Sequence, residues 1–471
     1  MHLTIDPKES LVPTTSSATS LSIPDLRAAV HGRVIAPDDA DYDNARVVFV
    51  GGVDRHPAVI IRVADATDVA TVIALARETG LELAVRSGGH SSVGHCVSEG
   101  GIVLDLSEMK AFDLDVATRT VWAETGLTAA EYSTAAWAHG LATGFGDTGS
   151  VGIGRITLGG GVGYLVRKYG LTIDDLLAAD IVTADGELLR VDADHHPDLY
   201  WAIRGGGGNF GVVTRFRYRL HEVPSFVGGL LILPATAEVV AGFIAAAEAA
   251  PDELSAIANV MPCPPMPFVP EADHGKLVIL ALMAYAGDAE SGERALAPFR
   301  ALAQPIADML AAMPYPQIYG PEDDSYHPLA ISKTMFVDRI DLPVAETIME
   351  HLEASDAAMR VAQLRVLGGA MARVPSDATA FAHRSSRIMV NVATFYEGAH
   401  DKDRRAAWVD GLVAALQQGD RGAYVNFLAD EGEERIRAAY PGATWHRLAA
   451  VKARYDPTNR FRLNQNIPAA S

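Results

Sequence analysis

The sequence predicts an α+β protein of two or three domains, and three observations lead to this prediction. The chain has 471 residues, of which 49% are hydrophobic, so it is too long for one small core and apolar enough for several. Residues 56–94 have the pattern of a strand, a helix and a strand. After Pro224 the chain alternates apolar strands with Ala-rich helices, which is typical of an antiparallel sheet covered by helices.

The first half of the chain is predicted to begin with a flexible arm, because residues 1–22 are rich in Ser, Thr and Pro. Order is expected from about Pro24. Turn and cap residues then bound the elements: Gly80 and Gly140 stop two helices, and Asp185-Gly186 forms a hairpin turn. The predicted helices are 67–79 and 128–139, and the predicted strands are 57–63, 82–85, 101–106, 120–124, 179–183, 187–191 and 212–220.

The second half is predicted to hold a substrate domain followed by a returning segment. Residues 237–250 form a predicted helix, and residues 277–285 and 388–395 form predicted strands. The segment 445–468 contains a basic helix and is too polar and ordered for a frayed tail, so we expect it to return to the first domain. The predicted domains are therefore 24–223 and 224–420, with a closing segment at 421–471.

Charge and composition exclude several classes of partner. The formal net charge of −20 argues against binding to nucleic acid or to an anionic membrane, since a phosphate backbone is bound by clustered Lys and Arg. Two cysteines cannot form a disulfide framework, and the first 20 residues lack the features of a cleaved signal. Pro234 interrupts the most apolar region, so no membrane span is predicted. A cytoplasmic protein, monomeric or homodimeric, is expected.

Three glycine-rich clusters carry the chemical signal, at 86–94, 144–163 and 204–211. The first follows an apolar strand, where glycine lets backbone N–H groups approach a bound group without an intervening Cβ. Arg86 and His90 flank this loop, which suggests an anionic cofactor beside a nucleophilic imidazole. The second cluster holds more glycines than turns require, which implies backbone packed against something other than side chains.

Other sites fit this sequence less well. Residues 152–157 nearly match a dinucleotide-binding fingerprint, but no apolar strand leads into Gly152 and Thr157 replaces the third glycine. A metal site at His90, His95 and Cys96 lacks suitably spaced acidic partners, so no metal is predicted. A serine hydrolase would need a G-x-S-x-G turn between a strand and a helix, and none is placed that way.

Four motifs in order make the chain resemble the FAD-linked oxidases of the berberine-bridge-enzyme type, in their bacterial branch. The motifs are RSGGHS at 86–91, VGIG to GGGVG at 151–163, RGGGGNFGVV at 204–213 and YDPTNRFR at 455–462. These oxidases have the vanillyl-alcohol-oxidase fold. The resemblance implies a PCMH-type FAD-binding domain of two α/β subdomains, plus a substrate domain with an antiparallel sheet.

The resemblance implies that His90 carries FAD covalently through the 8α-methyl carbon, and a neutral imidazole is a competent nucleophile for that bond. Many relatives have a second link through a cysteine, and Thr148 stands at that position here. One covalent bond, without a cysteine link, is therefore predicted. The other expected FAD-binding residues are Arg86, Ser87, Gly88, Gly89, Ser91, Thr148, Ser150, Gly152, Gly154, Thr157, Gly159, Gly163, Val213, Asn464 and Asn466.

The resemblance also implies catalytic residues. Val151 matches the position that faces the flavin where oxygen reacts, and a small residue there goes with oxidases; a packing role for Val151 is equally open. Tyr424 resembles the tyrosine of a Tyr-x-Asn-Tyr strand that takes a hydroxyl proton. A phenol can do so only if its pKa of about 10 is lowered by a positive charge or by the flavin site. Tyr396 is a second candidate for the substrate pocket.

The predicted function is an FAD-dependent oxidase. Hydride would pass from a small alcohol or amine to the covalently bound flavin, and O2 would reoxidise the flavin to give H2O2. Two alternatives stay open, namely a dehydrogenase and a catalytically silent flavin-binding protein.

Overall fold

A computed structural model of the chain describes residues 21–321, 323 and 325–470. The arm predicted at 1–22 therefore lies outside the described residues, except for Leu21 and Ser22. Ser22 caps the first helix, since its hydroxyl accepts a hydrogen bond from the backbone N–H of Asp25.

The strands of the described chain are, in order, β1 (Arg33–Ile35), β2 (Val59–Arg62), β3 (Leu83–Arg86), β4 (Ile102–Asp105), β5 (Phe112–Asp115), β6 (Thr120–Glu124), β7 (Leu141–Ala142), β8 (Leu176–Val182), β9 (Leu188–Asp192), β10 (Val212–Arg219), β11 (His221–Glu222), β12 (Val227–Pro234), β13 (Leu254–Pro262), β14 (Leu277–Tyr285), β15 (Ala307–Asp308), β16 (Ala311–Ala312), β17 (Ala330–Val337), β18 (Arg360–Val366) and β19 (Ile388–Phe395).

The helices are α1 (Ile23–Ala29), α2 (Tyr42–Arg46), α3 (Ala66–Thr79), α4 (Ala129–Trp137), α5 (Ile153–Leu158), α6 (Val166–Tyr169), α7 (Pro197–Ala202), α8 (Ala237–Ala249), α9 (Ala289–Arg300), α10 (Leu342–Ala354), α11 (Ala370–Arg373), α12 (Ala399–Leu416), α13 (Glu433–Ala439) and α14 (Ala443–Tyr455).

Two larger sheets and a two-stranded one, β7 with β11, form the N-terminal half of the described chain. The first has the order β1-β2-β4-β3, in which β2, β4 and β3 run parallel. The predicted strand–helix–strand unit is thus confirmed as β2-α3-β3, with β4 inserted between its two strands. The second sheet is antiparallel, with the order β5-β6-β10-β8-β9. The first glycine-rich loop follows β3, and the third leads into β10.

The second half contains one antiparallel sheet of eight strands, ordered β15-β12-β14-β13-β18-β19-β17 with β16 beside β12. Apolar side chains of one face pack against α8, α9, α10 and α12 in a single core. The opposite face contacts the chain between Val162 and Ile173, which joins it to the first half. The predicted α+β architecture, with an antiparallel sheet covered by helices, is confirmed.

Local signals placed most elements correctly. The bounds of β6, β14 and β19 match the sequence prediction residue for residue. The helix predicted at 128–139 is α4, where Thr128 and Glu131 form a capping box and Gly140 follows with φ of 69°. Helix α14 and the segment after it pack against the cores of the first two sheets.

One expected element is different. Tyr424 does not lie on a strand; it immediately precedes a 3-10 turn at Val425–Phe427. The domain limits at residues 223 and 420 stay predictions. None of the helices in the described chain combines the length and apolar character needed to cross a bilayer.

Candidate active site

The largest set of predicted site residues meets around a cavity of about 1070 Å³, here called the glycine-loop cavity. Its walls come from all three glycine-rich clusters and from the C-terminal segment 461–465. The predicted residues that line it are Ser87, Gly88, Gly89, His90, Ser91, Val151, Gly152, Gly154, Val213 and Asn464. Residues separated by up to 377 positions in sequence therefore share one wall.

Two of the glycine loops touch through their backbones. A Cβ atom on Gly88 would collide with the backbone of Gly152, and one on Gly152 would collide with Ser87 and Gly88. Gly89 has φ of 73°, a conformation that L side chains rarely adopt. Glycine is required here because the backbones themselves form the wall.

His90 lies where the glycine-loop cavity meets a second cavity. Its ring stacks on Phe49, with centroids 4.3 Å apart, and its Nε2 lies 2.9 Å from the Oγ of Ser150. These two contacts hold the imidazole plane in one orientation. Nδ1 and Nε2 are distinct, and the Ser150 contact engages Nε2.

The charge around the glycine-loop cavity suits an anionic guest. No carboxylate occurs among its described lining residues, and Arg155 is the single Arg or Lys among them. Three buried polar atoms in this wall have no hydrogen-bond partner in the described chain: Asn464 Oδ1, Tyr440 Oη and His95 Nδ1. Burial, with help from two nearby arginines, lowers the pKa of His95 to about 4, so this imidazole is neutral at pH 7. The wall thus offers unpaired polar groups to a large polar molecule.

The second cavity, of about 1020 Å³, lies against the open face of the eight-stranded sheet and is called the sheet-side cavity. It shares His90, Val151, Arg155 and Asn426 with the glycine-loop cavity. Ser332 and Asn391 line it from β17 and β19, and Asn391 Oδ1 is buried without a partner in the described chain. Sequence reasoning missed Asn391. A polar residue in the middle of an apolar strand was the available signal.

Tyr424 lines the sheet-side cavity, but its surroundings differ from the expectation. Its Oη accepts hydrogen bonds from the backbone N–H of Gly161 and of Val162, both at 3.1 Å, and from Asn426 Nδ2 at 2.9 Å. Burial raises the pKa of Tyr424, and these three donors oppose the rise. The lowered pKa expected for a catalytic phenol is therefore not provided by the surrounding protein.

An unforeseen ion pair connects the second glycine-rich cluster to the eight-stranded sheet. Arg365 on β18 pairs with Asp147 and donates to Gln363 Oε1 at 2.7 Å. Its guanidinium also lies 5.1 Å from the ring centroid of Phe427. Because Asp147 precedes Thr148 and Ser150, this pair anchors the second glycine loop to the sheet.

Two expected FAD-binding residues, Arg86 and Thr157, are hydrogen-bonded to other parts of the protein. Arg86 is buried, and its side chain donates to the carbonyls of Ala45, Arg46 and Cys96, so it holds loops together and does not line the glycine-loop cavity. Thr157 is buried; its hydroxyl contacts the Ile153 carbonyl at 2.6 Å and Tyr218 Oη at 2.7 Å. In both residues the polar groups of the side chain already have hydrogen-bond partners within the protein.

Gly159 and Gly163 also do not line the glycine-loop cavity. A Cβ on Gly159 would strike Asn426, and one on Gly163 would strike the Phe145 carbonyl, so both glycines serve close packing. Tyr396 lines none of the three described cavities. It lies past the end of β19, with the Lys402 ammonium 5.8 Å from its ring.

The remaining predicted FAD-binding residues lie outside the lining of the glycine-loop cavity. Thr148 lines the sheet-side cavity, and Ser150 lines a third, wider opening beside His90. Asn466 has a buried Oδ1 without a described partner but does not line the glycine-loop cavity.

Known proteins resemble this chain over most of its length. Residues 57–192 match the family described as FAD binding domain, and residues 423–468 match that described as berberine and berberine like. The chain is 30% identical to (R)-6-hydroxynicotine oxidase of Paenarthrobacter nicotinovorans, covering 93% of this chain and 97% of that protein. It is 27% identical to xylooligosaccharide oxidase of Thermothelomyces thermophilus, covering 98% and 99%. The crystal structure of 6-hydroxy-D-nicotine oxidase from Arthrobacter nicotinovorans superposes with a TM-score of 0.83 at 28% identity, over 95% and 99% of the two chains.

Proposed function

Because this chain belongs to the FAD-linked oxidoreductases of the berberine-bridge-enzyme-like family, we propose that it is an FAD-dependent oxidase of a small alcohol or amine. The substrate would lose a hydride and a proton, and O2 would take up two electrons and two protons to give H2O2. One observation carries this proposal. His90 and Val151 lie where the glycine-loop cavity, which has no carboxylate among its described lining residues, meets the sheet-side cavity.

The glycine-loop cavity would hold FAD. Backbone groups of Gly88, Gly89 and Gly152 suit the close approach of an anionic group, and Asn464 and Tyr440 offer unpaired polar atoms to the rest of the cofactor. His90 is the proposed covalent anchor, with Thr148 in place of a second, cysteine link. When bound, FAD supplies the two-electron acceptor that the protein's own side chains lack.

The sheet-side cavity would hold the substrate. The unpaired Oδ1 of Asn391 can accept a hydrogen bond from a hydroxyl or an amine of the substrate, which orients the donor carbon. Tyr424 Oη would take the hydroxyl proton. Tyr424 can accept this proton only as a phenolate. The backbone N–H groups of Gly161 and Val162 would stabilise that phenolate through hydrogen bonds to its oxygen.

The test begins with the purified protein. We expect it to be yellow, and acid precipitation should leave the flavin in the pellet. Candidate alcohols and amines are then added without oxygen, and a substrate is recognised because it bleaches the flavin. Admitting O2 should restore the colour and form H2O2. A colourless protein would contradict the proposal. If no candidate substrate bleaches the flavin, the protein binds flavin without catalysing a reaction. If the reduced flavin is reoxidised only by dyes and not by O2, the protein is a dehydrogenase.

Substitution of Val151 with leucine is expected to slow reoxidation by O2 at least about tenfold, because the larger side chain fills the space beside the proposed flavin ring. Anaerobic reduction by the same substrate should change little. Stopped-flow measurement of the two half-reactions separates these effects. Equal slowing of both would instead indicate that Val151 is only a packing residue.

Substitution of Tyr424 with phenylalanine is expected to lower kcat by about 10²- to 10³-fold if the phenol is the base. Burial raises the pKa of Tyr424, so the phenolate is scarce at neutral pH and kcat should rise as the pH rises towards that pKa. The variant should lose this alkaline rise. Tyr396→Phe, outside the described cavities, is the matched control. An unchanged pH profile in Tyr424→Phe would exclude the base role.

A cytoplasmic location is part of the proposal. It is supported by the two cysteines, Cys96 and Cys263, which are both free and buried.

A further inference from the structure

The half-buried Arg155 differs from the buried arginines of the described chain. It lies in the first turn of α5 and lines both the glycine-loop cavity and the sheet-side cavity. Its side chain makes no hydrogen bond or ion pair with a described residue. By contrast, Arg365 pairs with Asp147, and Arg384 makes two bonds of 2.7 Å to Asp174.

The neighbours of Arg155 do not neutralise its charge. The groups close enough to interact with it electrostatically are Cys96, His95, Tyr424 and Tyr440. Burial raises the pKa of both tyrosines and lowers that of His95, so these three groups are uncharged near pH 7. Burial also lowers the pKa of Arg155, as expected for a cation removed from water without a partner. Arg155 is only half-buried, and no acidic side chain of the described residues pairs with its guanidinium, so this cation is available to a negatively charged group bound in the two cavities.

FAD offers two sources of negative charge, the pyrophosphate and the isoalloxazine ring once it is reduced. Hydride transfer brings two electrons and one proton to the ring, which leaves one negative charge on its N1–C2=O side. Arg155 shares the boundary of the two cavities with His90 and Val151, the residues proposed above to lie beside the ring. Val151 precedes α5 and Arg155 lies within it, and both residues line both cavities.

We propose that Arg155 is the fixed positive charge that stabilises the anionic reduced flavin. The inference rests on the proposed function, since it requires a flavin in the glycine-loop cavity. A cation next to the ring makes the flavin a better electron acceptor, and it keeps the reduced ring unprotonated at N1. Arg155 is thereby a tuning residue for the reaction, whichever substrate the sheet-side cavity accepts.

Two readouts test this without a substrate. Sulfite adds reversibly to flavin N5 and leaves the same negative charge on the ring, so its dissociation constant, read from the loss of flavin colour, reports the stabilisation. In Arg155→Met we expect sulfite to bind at least about tenfold more weakly, and in Arg155→Lys within about threefold of the parent. The exposed Arg294→Met, which changes the net charge equally, is the control and should match the parent.

The second readout is the protonation state of the photoreduced flavin, followed by absorbance about one pH unit below the value at which free reduced flavin takes up its N1 proton. The parent and Arg155→Lys should hold the anion, and Arg155→Met the neutral form. Weaker sulfite binding with an unchanged anionic spectrum in Arg155→Met would overturn the inference, because Arg155 would then act only on incoming anions. Unchanged sulfite binding would overturn it as well, as would a lysine variant that behaves like methionine. If Arg155→Met fails to load flavin, the parent's own spectrum decides, since a neutral reduced flavin there contradicts the inference. A colourless parent protein contradicts the proposed function instead.

Discussion

Replacement of His90 with alanine is expected to move essentially all flavin from the acid-precipitated pellet to the supernatant. The His90 imidazole is the only nucleophile proposed for the flavin's 8α carbon, and Thr148 cannot substitute for the cysteine of doubly linked relatives. The remaining contacts of the glycine-loop cavity are non-covalent and are lost when acid unfolds the chain. The measurement is the flavin absorbance of the two fractions, with mass spectrometry of the intact protein to detect the flavin adduct.

His95→Ala is the matched control for this experiment. His95 lines the same cavity five residues further on, and it is buried and neutral at pH 7. Its removal should leave the flavin in the pellet. Flavin that stays in the pellet of His90→Ala would contradict the proposed linkage. Loss of flavin from the pellets of both variants would mean that an intact cavity, and not a bond to His90, retains the flavin.

Replacement of Lys452 with methionine is expected to lower the free energy of unfolding by about 3–5 kcal/mol. Lys452 and Asp456 are both fully buried, and the Lys452 Nζ lies 2.6 Å from Asp456 Oδ2. The same ammonium donates to the carbonyls of Asn209 and Phe461. Methionine would leave the Asp456 carboxylate buried without its cation, at the point where the C-terminal segment meets the third glycine loop.

Urea unfolding of the flavin-loaded protein measures this change, and the flavin content of each sample is determined alongside. Arg437→Met offers the comparison, because Arg437 and Glu433 form an exposed pair with the same spacing of four residues. It should cost less than about 1 kcal/mol. Equal decreases in the free energy of unfolding for the two substitutions would show that burial does not increase the contribution of the Lys452 pair to stability.

Most of the fold was predictable because its signals are local. Nearly continuous apolar runs define β14 and β19, and the Thr128 capping box with Gly140 bounds α4. Sheet order was beyond such reasoning. Strand β4 enters between β2 and β3, and this depends on which apolar faces are buried together over long separations.

The part of the candidate site that could be predicted from the sequence is the part formed by glycine backbones. Gly88 and Gly152 were identified from sequence, and their backbones do form one wall. The hydrogen-bond partners of polar side chains could not be predicted. Arg86 and Thr157 bond to groups that are far away in the sequence, and no spacing of residues indicates these contacts.

By itself, the sequence determined the class of protein, since four motifs in order and three glycine clusters require close backbone approach to a large group. The tertiary structure alone decided which side chains are free to act. It paired Arg86, Arg365 and Lys452 and left Arg155 without a described partner, and it buried Tyr424 under three hydrogen-bond donors. The physical reason is that a backbone conformation is encoded locally, whereas the desolvation and pairing of a charge depend on residues brought together only by folding.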